Sequence, residues 1–206
     1  SGQVGPSGLL TYYASPQALN AWLDSLSWKT NVWKALDAIS SQNPLLRTLP
    51  DAQRTRYARQ MHDYALARQD ADGLWGNGQA PLVRLSGTVK FAWFCRDSGL
   101  PLPHADRIYR TLLAWYRTEP SKADDFKLDT CFPGNTIGLL GELTRYLPQP
   151  FPPDDIALVL RESVRMMRAF RTPDGGFCRH VGRYYARPND LAPHLAQFDE
   201  PVGDVN

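Results

Sequence analysis

Three stretches of this chain open alike and at nearly equal intervals. Pro50-Asp51, Pro103 and Pro152-Pro153-Asp154-Asp155 each begin a run whose apolar residues recur at three- and four-residue spacing. That spacing marks a helix with one buried face. The starts near residues 51, 103 and 154 lie 52 and 51 residues apart. A period of this size signals stacked supersecondary units, because one unit cannot bury its apolar face alone. The first stripe carries Tyr57, Met61, Tyr64, Ala65 and Arg68, the second Ile108, Leu112 and Trp115, the third Ile156, Val159, Leu160, Ser163, Met167 and Phe170.

Between these amphipathic helices lie segments of another kind. Residues 82–97 (LVRLSGTVKFAWFCRD) are apolar on nearly every side, and 134–147 (GNTIGLLGELTRYL) on two faces. Such helices are buried all round. An earlier pair precedes them: a helix over 15–27 opened by Ser15-Pro16, and one over 31–42 through Trp33, Leu36 and Ile39. No convincing strand is present. Alternation of amphipathic and buried helices predicts an all-α fold of two concentric layers, an α/α toroid. Its hairpins would be 15–27/31–42, 51–68/82–97 and 103–117/134–147, with 154–170 lacking an inner partner. About four hairpins make an incomplete ring. The expectation is therefore either a piece of a longer protein or a ring left open and covered by another chain.

The connections alternate too. Inner-to-outer turns are short and Pro-rich, SGLPLP (98–103) and PQPFPP (148–153), whereas the outer-to-inner loops 69–81, 118–133 and 171 onward are long. All the long loops then emerge on one end of the ring, where function usually sits. Residues 1–14 read as a flexible N-terminal segment and 15–206 as the toroid domain. Within it, 172–206 have no helical period and read as a long loop or lid.

Composition excludes several classes. Hydrophobic residues at 43% and aromatics at 11% suit a packed core rather than disorder. A net charge of +2 with scattered Lys and Arg leaves no footprint for nucleic acid. No apolar run approaches the roughly 18 residues of a membrane span, and no signal-peptide pattern opens the chain. A processed leader stays open as an alternative. Three widely spaced cysteines, Cys95, Cys131 and Cys178, do not make a disulfide framework, which points to a reducing, cytoplasmic setting.

One long loop holds a motif. Gln69-Asp70-Ala71-Asp72-Gly73-Leu74-Trp75 fits Q-x-x-x-G-x-W, with Arg59, Tyr64 and Ala65 upstream at the positions of a base, an aromatic and an apolar residue. A degenerate copy, Arg171-Thr172-Pro173-Asp174-Gly175-Gly176-Phe177, follows 102 residues later, at the same place in the helical period. This resembles the QW repeat of squalene and oxidosqualene cyclases and of prenyltransferase β-subunits. The resemblance implies a structural clasp. The Gln amide satisfies groups at a helix end, Gly73 or Gly176 permits the bend, and the ring of Trp75 or Phe177 stacks on a neighbouring helix.

The same resemblance implies a site in a bowl inside the inner helices, and three features point there. Phe91, Trp93 and Phe94 on the inner helix could hold an isoprenoid tail or stabilise a carbocation through their π faces, or could be core packing. Gly134, Gly138 and Gly141 share one face of the next inner helix, for close packing or for room for a ligand. Asp124, Asp125 and Asp129 crowd one outer-to-inner loop, where mutual repulsion raises a carboxyl pKa toward general-acid work. The alternative for them is a solvated acidic loop.

Lys127-Leu128-Asp129-Thr130-Cys131-Phe132 is similar to the K-L-x-D-x-C-Y segment of prenyltransferase β-subunits, one residue short between Leu and Asp. There the Asp and Cys hold zinc with a distant His. Asp129 and Cys131 are thus candidate zinc ligands, with no clear third ligand. The D-x-D-D acid motif of class II cyclases is missing, and Asp124-Asp125-x-x-x-Asp129 resembles the aspartate-rich Mg²⁺ motif of class I prenyl synthases only superficially. His180, Arg183, Tyr184 and Tyr185 in the final segment suit an anion or a sugar.

Three functions fit these features. The first is a terpenoid cyclase or prenyltransferase-like toroid holding an isoprenoid-type ligand in an aromatic bowl. The second is a carbohydrate-active toroid resembling a polysaccharide lyase or epimerase. The third is a non-catalytic toroid that binds a partner.

Overall fold

The computed structural model describes residues 11–118, 129–147, 151–173 and 175–179. Among them the chain is helical, with a single isolated β-bridge between Arg171 and Phe177. A short 3₁₀ turn (Thr11–Tyr13) leads into α1 (Pro16–Asp24), α2 (Val32–Ser40), α3 (Asn43–Leu46), α4 (Asp51–Leu66), α5 (Pro81–Ser98), α6 (Ala105–Arg117), α7 (Cys131–Leu143) and α8 (Pro153–Arg168). The expected helices are all present, with shifted ends. α1 starts where the sequence places it, because the Ser15 hydroxyl accepts the Ala18 amide at 3.1 Å and Pro16 occupies the first helical position. α6 begins two residues after Pro103, since His104 turns the chain into the left-handed region at φ 52°.

The chain divides into two compact units, residues 1–79 with 83–108, and 80–82 with 109–206. In the first, Leu19, Leu23, Leu36, Ile39, Met61, Trp75, Phe91 and Phe94 are sealed from solvent. α1 packs on α4 in this unit, and the Gln60 side-chain amide donates across to Asn20 Oδ1 at 2.8 Å and to the Pro16 carbonyl at 2.7 Å. Gly87 lets α5 approach α2: a Cβ there would stand 3.3 Å from the Trp33 backbone. In the second unit α7 packs against α8, and Tyr116 stacks on Phe132, ring centroids 6.1 Å apart, while its hydroxyl meets Ser163 at 3.2 Å.

The period read from the sequence returns in the backbone as a repeat of 102 residues. α4 and α8 are both 16 residues long, and each bound of α8 lies 102 positions after its counterpart in α4. Pro50 and Pro152 precede them with the same extended backbone, φ −54° in both and ψ 144° and 133°. The final turns close alike, Arg68 N to Ala65 O at 2.9 Å and Phe170 N to Met167 O at 3.0 Å.

The loops that follow are also the same turn. In the first, Asp70 N donates to Leu74 O at 2.8 Å and Gly73 N to Asp70 O at 3.0 Å. In the second, Thr172 N donates to Gly176 O at 2.9 Å and Gly175 N to Thr172 O at 3.0 Å. Gly73 and Gly175 carry φ +86° and +89°, a region in which a side chain clashes with the following carbonyl.

Candidate functional site

The loop after α4 is held from both sides within the first unit. Trp75 is wholly buried, and its indole N–H donates to the Ala65 carbonyl at 2.8 Å. That carbonyl belongs to the last turn of α4 and also accepts the Arg68 amide at 2.9 Å, so the indole adds a second donor to it. The Gln69 side-chain amide donates to Gly73 O at 2.7 Å and to Pro103 O at 2.9 Å, so one residue joins the loop to the lead-in of α6. Its Oε1 is buried without a donor among the described residues. Gly73 lies so close to α6 that a Cβ would stand 2.8 Å from Ile108 N. The loop therefore ties the end of α4 to the start of α6. In the second copy Arg171 is exposed, Phe177 is half-buried, and a phenyl ring has no N–H to give a carbonyl. Asp174 lies outside the described residues.

Arg84 is a residue that sequence reasoning missed. It sits in the buried first half of α5, is 8% exposed, and donates to Asp70 Oδ2 at 3.2 Å, Asp72 Oδ1 at 2.9 Å and Trp75 O at 3.2 Å. A buried guanidinium demands anionic partners. The two aspartates of the facing loop were the legible signal.

The aromatic residues expected in a bowl divide. Phe91 and Phe94 are completely enclosed. Phe91 meets Trp75 edge-on at 4.9 Å, stacks on His62 at 5.9 Å, and stacks on Phe94 at 5.7 Å, so its faces are filled by protein. Trp93 is half-buried with the Lys90 ammonium 4.9 Å from its ring centroid, and it lines a groove with Asp37, Arg47, Arg96 and Asp97.

Asp129 and Cys131 stand together at the start of α7. Asp129 is 5% exposed; its Oδ1 accepts the Cys131 amide at 2.8 Å and its Oδ2 the Arg179 Nε–H at 3.1 Å. Both oxygens serve the structure, one as a helix-start acceptor and one in an ion pair. Thr130 N donates to Arg179 O at 3.0 Å, which reinforces the join. Among the described residues no three His, Cys, Asp or Glu side chains are placed to share a metal ion. Asp124, Asp125, His180, Arg183, Tyr184 and Tyr185 lie outside the described residues.

The small-residue face of α7 meets open space. A Cβ on Gly134, Gly138 or Gly141 would contact nothing within 4 Å. Beside Gly141 lies an apolar groove of about 230 Å³, walled by Ile137 and Leu140 of α7, Ile156, Val159 and Leu160 of α8, and Phe151. Thr144 is the one polar residue on its wall. Ile137 and Leu160 are 44% and 47% exposed, and Val164, one turn further along α8, is 51% exposed.

No helix among the described residues is long and apolar enough to cross a membrane. Comparison with models of known protein families, with curated proteins and with solved structures gives no match for this chain.

Proposed function

We propose that the chain is an α/α-toroid domain of the terpenoid cyclase and prenyltransferase kind, and that it holds the hydrocarbon part of an isoprenoid-type ligand in the groove between α7 and α8. The single observation that carries the ligand is that groove: apolar on all sides but one, about 230 Å³, and open. What supports the toroid is the 102-residue repeat of helix, turn and positive-φ glycine, set in phase with the Q-x-x-x-G-x-W loop. The ligand seat in this proposal differs from the expected one. Phe91 and Phe94 give their faces to protein neighbours, whereas Gly141 of α7 borders open space in the groove that a branched chain can enter.

Pockets for drug-sized ligands run from roughly 300 to 1,000 Å³. A groove of 230 Å³ therefore takes part of a prenyl chain and leaves its head group outside. Each buried methylene contributes about 0.8 kcal/mol. Affinity should rise with chain length until the groove is filled, and it should not require a diphosphate. The test is thermal stabilisation by dimethylallyl, geranyl and farnesyl alcohols, with the matching diphosphates in parallel. A stabilisation that grows along the alcohol series supports the reading; stabilisation by none of them removes it.

A second reading, a carbohydrate-active toroid, draws support from a different place. The half-exposed tryptophans Trp28 and Trp93 line grooves rich in charged and amide side chains.

A further inference from the structure

α8 carries an apolar edge that its own core does not use. Glu162, Ser163 and Met166 turn inward and are buried, whereas Leu160 and Val164, one helical turn apart, are 47% and 51% exposed. Across the groove Ile137 of α7 is 44% exposed. Apolar side chains of this size, gathered along one groove rather than scattered, mark a surface that another molecule covers. The groove is a slot between two helices. Leu140, Gly141 and Thr144 line it from α7, and Ile156, Val159 and Leu160 from α8. A Cβ on Gly141 would meet nothing within 4 Å, so the slot is open at its wall.

Charge narrows the kind of molecule. Arg161 lies three residues before Val164 and Arg168 four after it, so both flank it on the helix surface. Both are exposed, and neither has a carboxylate partner among the described residues. The nearby acids are engaged elsewhere. Glu162 is buried and takes Arg165 at 2.5 Å, and Asp155 takes Arg117 at 3.3 Å and the Tyr109 hydroxyl at 2.7 Å. The exposed Asp154 sits in the first turn of α8, at the end away from these arginines. An apolar strip edged by two unpaired guanidiniums suits a partner that is apolar along one stripe and anionic beside it.

Shape then decides between the two partners of that chemistry. An anionic lipid surface receives convex apolar knobs and would leave the floor of a slot unfilled. A slot bounded by two helices accepts the ridge of a third, with side chains at i, i+3, i+4 and i+7 as anchors.

We infer that the groove between α7 and α8 docks an amphipathic helix of a partner protein, with its apolar stripe in the slot and acidic side chains on Arg161 and Arg168. A helix and a prenyl chain would use the same apolar wall, so docking closes the site proposed above; in that consequence alone the inference rests on the isoprenoid reading.

The experiment titrates the full chain, with no isoprenoid present, into a fluorescein-labelled helical peptide that carries Leu at i, i+3, i+4 and i+7 and Glu along one flank. Binding is read by anisotropy. A peptide with Lys in place of each Glu and phosphatidylserine vesicles are run in parallel. The variants are the double substitution Arg161→Glu with Arg168→Glu, at exposed positions, and Gly141→Leu, which grows into open space; circular dichroism checks that each is folded. The expected result is saturable binding of the Glu peptide, weakened about tenfold by either variant, with the Lys peptide much weaker. The inference is overturned by no saturable binding of the Glu peptide, by equal binding of the Lys peptide, by folded variants that bind as wild type does, or by vesicle binding without peptide binding. Because the titration contains no isoprenoid, its outcome and that of the alcohol series are read separately.

Discussion

The indole N–H of Trp75 donates to the carbonyl oxygen of Ala65, 2.8 Å away and ten residues back in the chain. That bond accounts for a tryptophan in a loop rich in Asp, Gly and Asn. The ring fills the core against Phe91, and its one polar atom gives a second donor to a last-turn carbonyl that also accepts the Arg68 amide. Trp75→Phe keeps most of the apolar area and removes this hydrogen bond, while the Arg68 amide still satisfies the carbonyl. It should cost about 1 kcal/mol, the net worth of a typical intramolecular hydrogen bond. Urea unfolding monitored by circular dichroism measures this; an unchanged midpoint would show that the bond does not matter.

Gly73 and Gly175 share a backbone angle but not an environment. A Cβ at Gly73 would stand 2.8 Å from Ile108 N, whereas one at Gly175 would meet nothing within 4 Å. Gly73→Ala should therefore cost about 3 kcal/mol, conformational strain plus steric overlap, and Gly175→Ala about 1 kcal/mol, strain alone. The same unfolding series, run on both variants, checks the difference; equal costs would deny that the first loop is wedged against α6.

Arg84 joins two loop carboxylates from inside a helix, at 3.2 and 2.9 Å. Arg84→Met retains bulk and removes the guanidinium from Asp70 and Asp72. Those carboxylates are 26% and 38% exposed, so water takes up part of the loss, and about 2 kcal/mol is expected rather than the full cost of a buried pair. Hydrogen exchange should quicken first at the Asn77 and Leu74 amides, which Asp70 and Asp72 accept. Exchange that quickens evenly over the whole unit would argue against a local role.

Alkaline pH tests the packed tyrosines. Burial pushes the Tyr64 hydroxyl up from 10.0 to about 12, aided by its hydrogen bond to Asp24 and opposed by Arg68. Burial is likewise the main cause of the upward shifts at Tyr13, Tyr109 and Tyr116. Each fold-raised acid favours its neutral form in the native state. Stability is then level below the unfolded value of 10.0 and falls as pH rises through the folded values, for Tyr64 between 10.0 and about 12. Melting temperature against pH, followed with phenolate absorbance, should show that fall. Ionisation of every tyrosine near 10 without loss of structure would contradict it.

Much of the fold was legible in the sequence because its signals are local. Pro at helix starts, three- and four-residue spacing and the loop glycines all act within a few residues of themselves, and they locate α4, α5, α6 and α8 to within a turn. The site was less legible because it depends on what packs where. Phe91 and Trp93 lie two positions apart on one helix, yet one is sealed under Trp75 and the other borders a polar groove. Asp129 reads as acidic and reactive in a string of residues, but Arg179, distant in sequence, takes one of its oxygens. The apolar groove combines Ile137 with Leu160 and Phe151, residues from separate elements that no periodicity connects.

The proposed seating of an isoprenoid-type chain between α7 and α8 is tested by photolabelling. A farnesyl analogue carrying a diazirine on its terminal isoprene unit is irradiated with the full chain, and the labelled peptide is located by mass spectrometry. Labelling that concentrates on residues 137–160, and that is lost in Leu160→Asp and on addition of excess farnesol, is the predicted result. Labelling spread over the surface, or unchanged by either treatment, would contradict it.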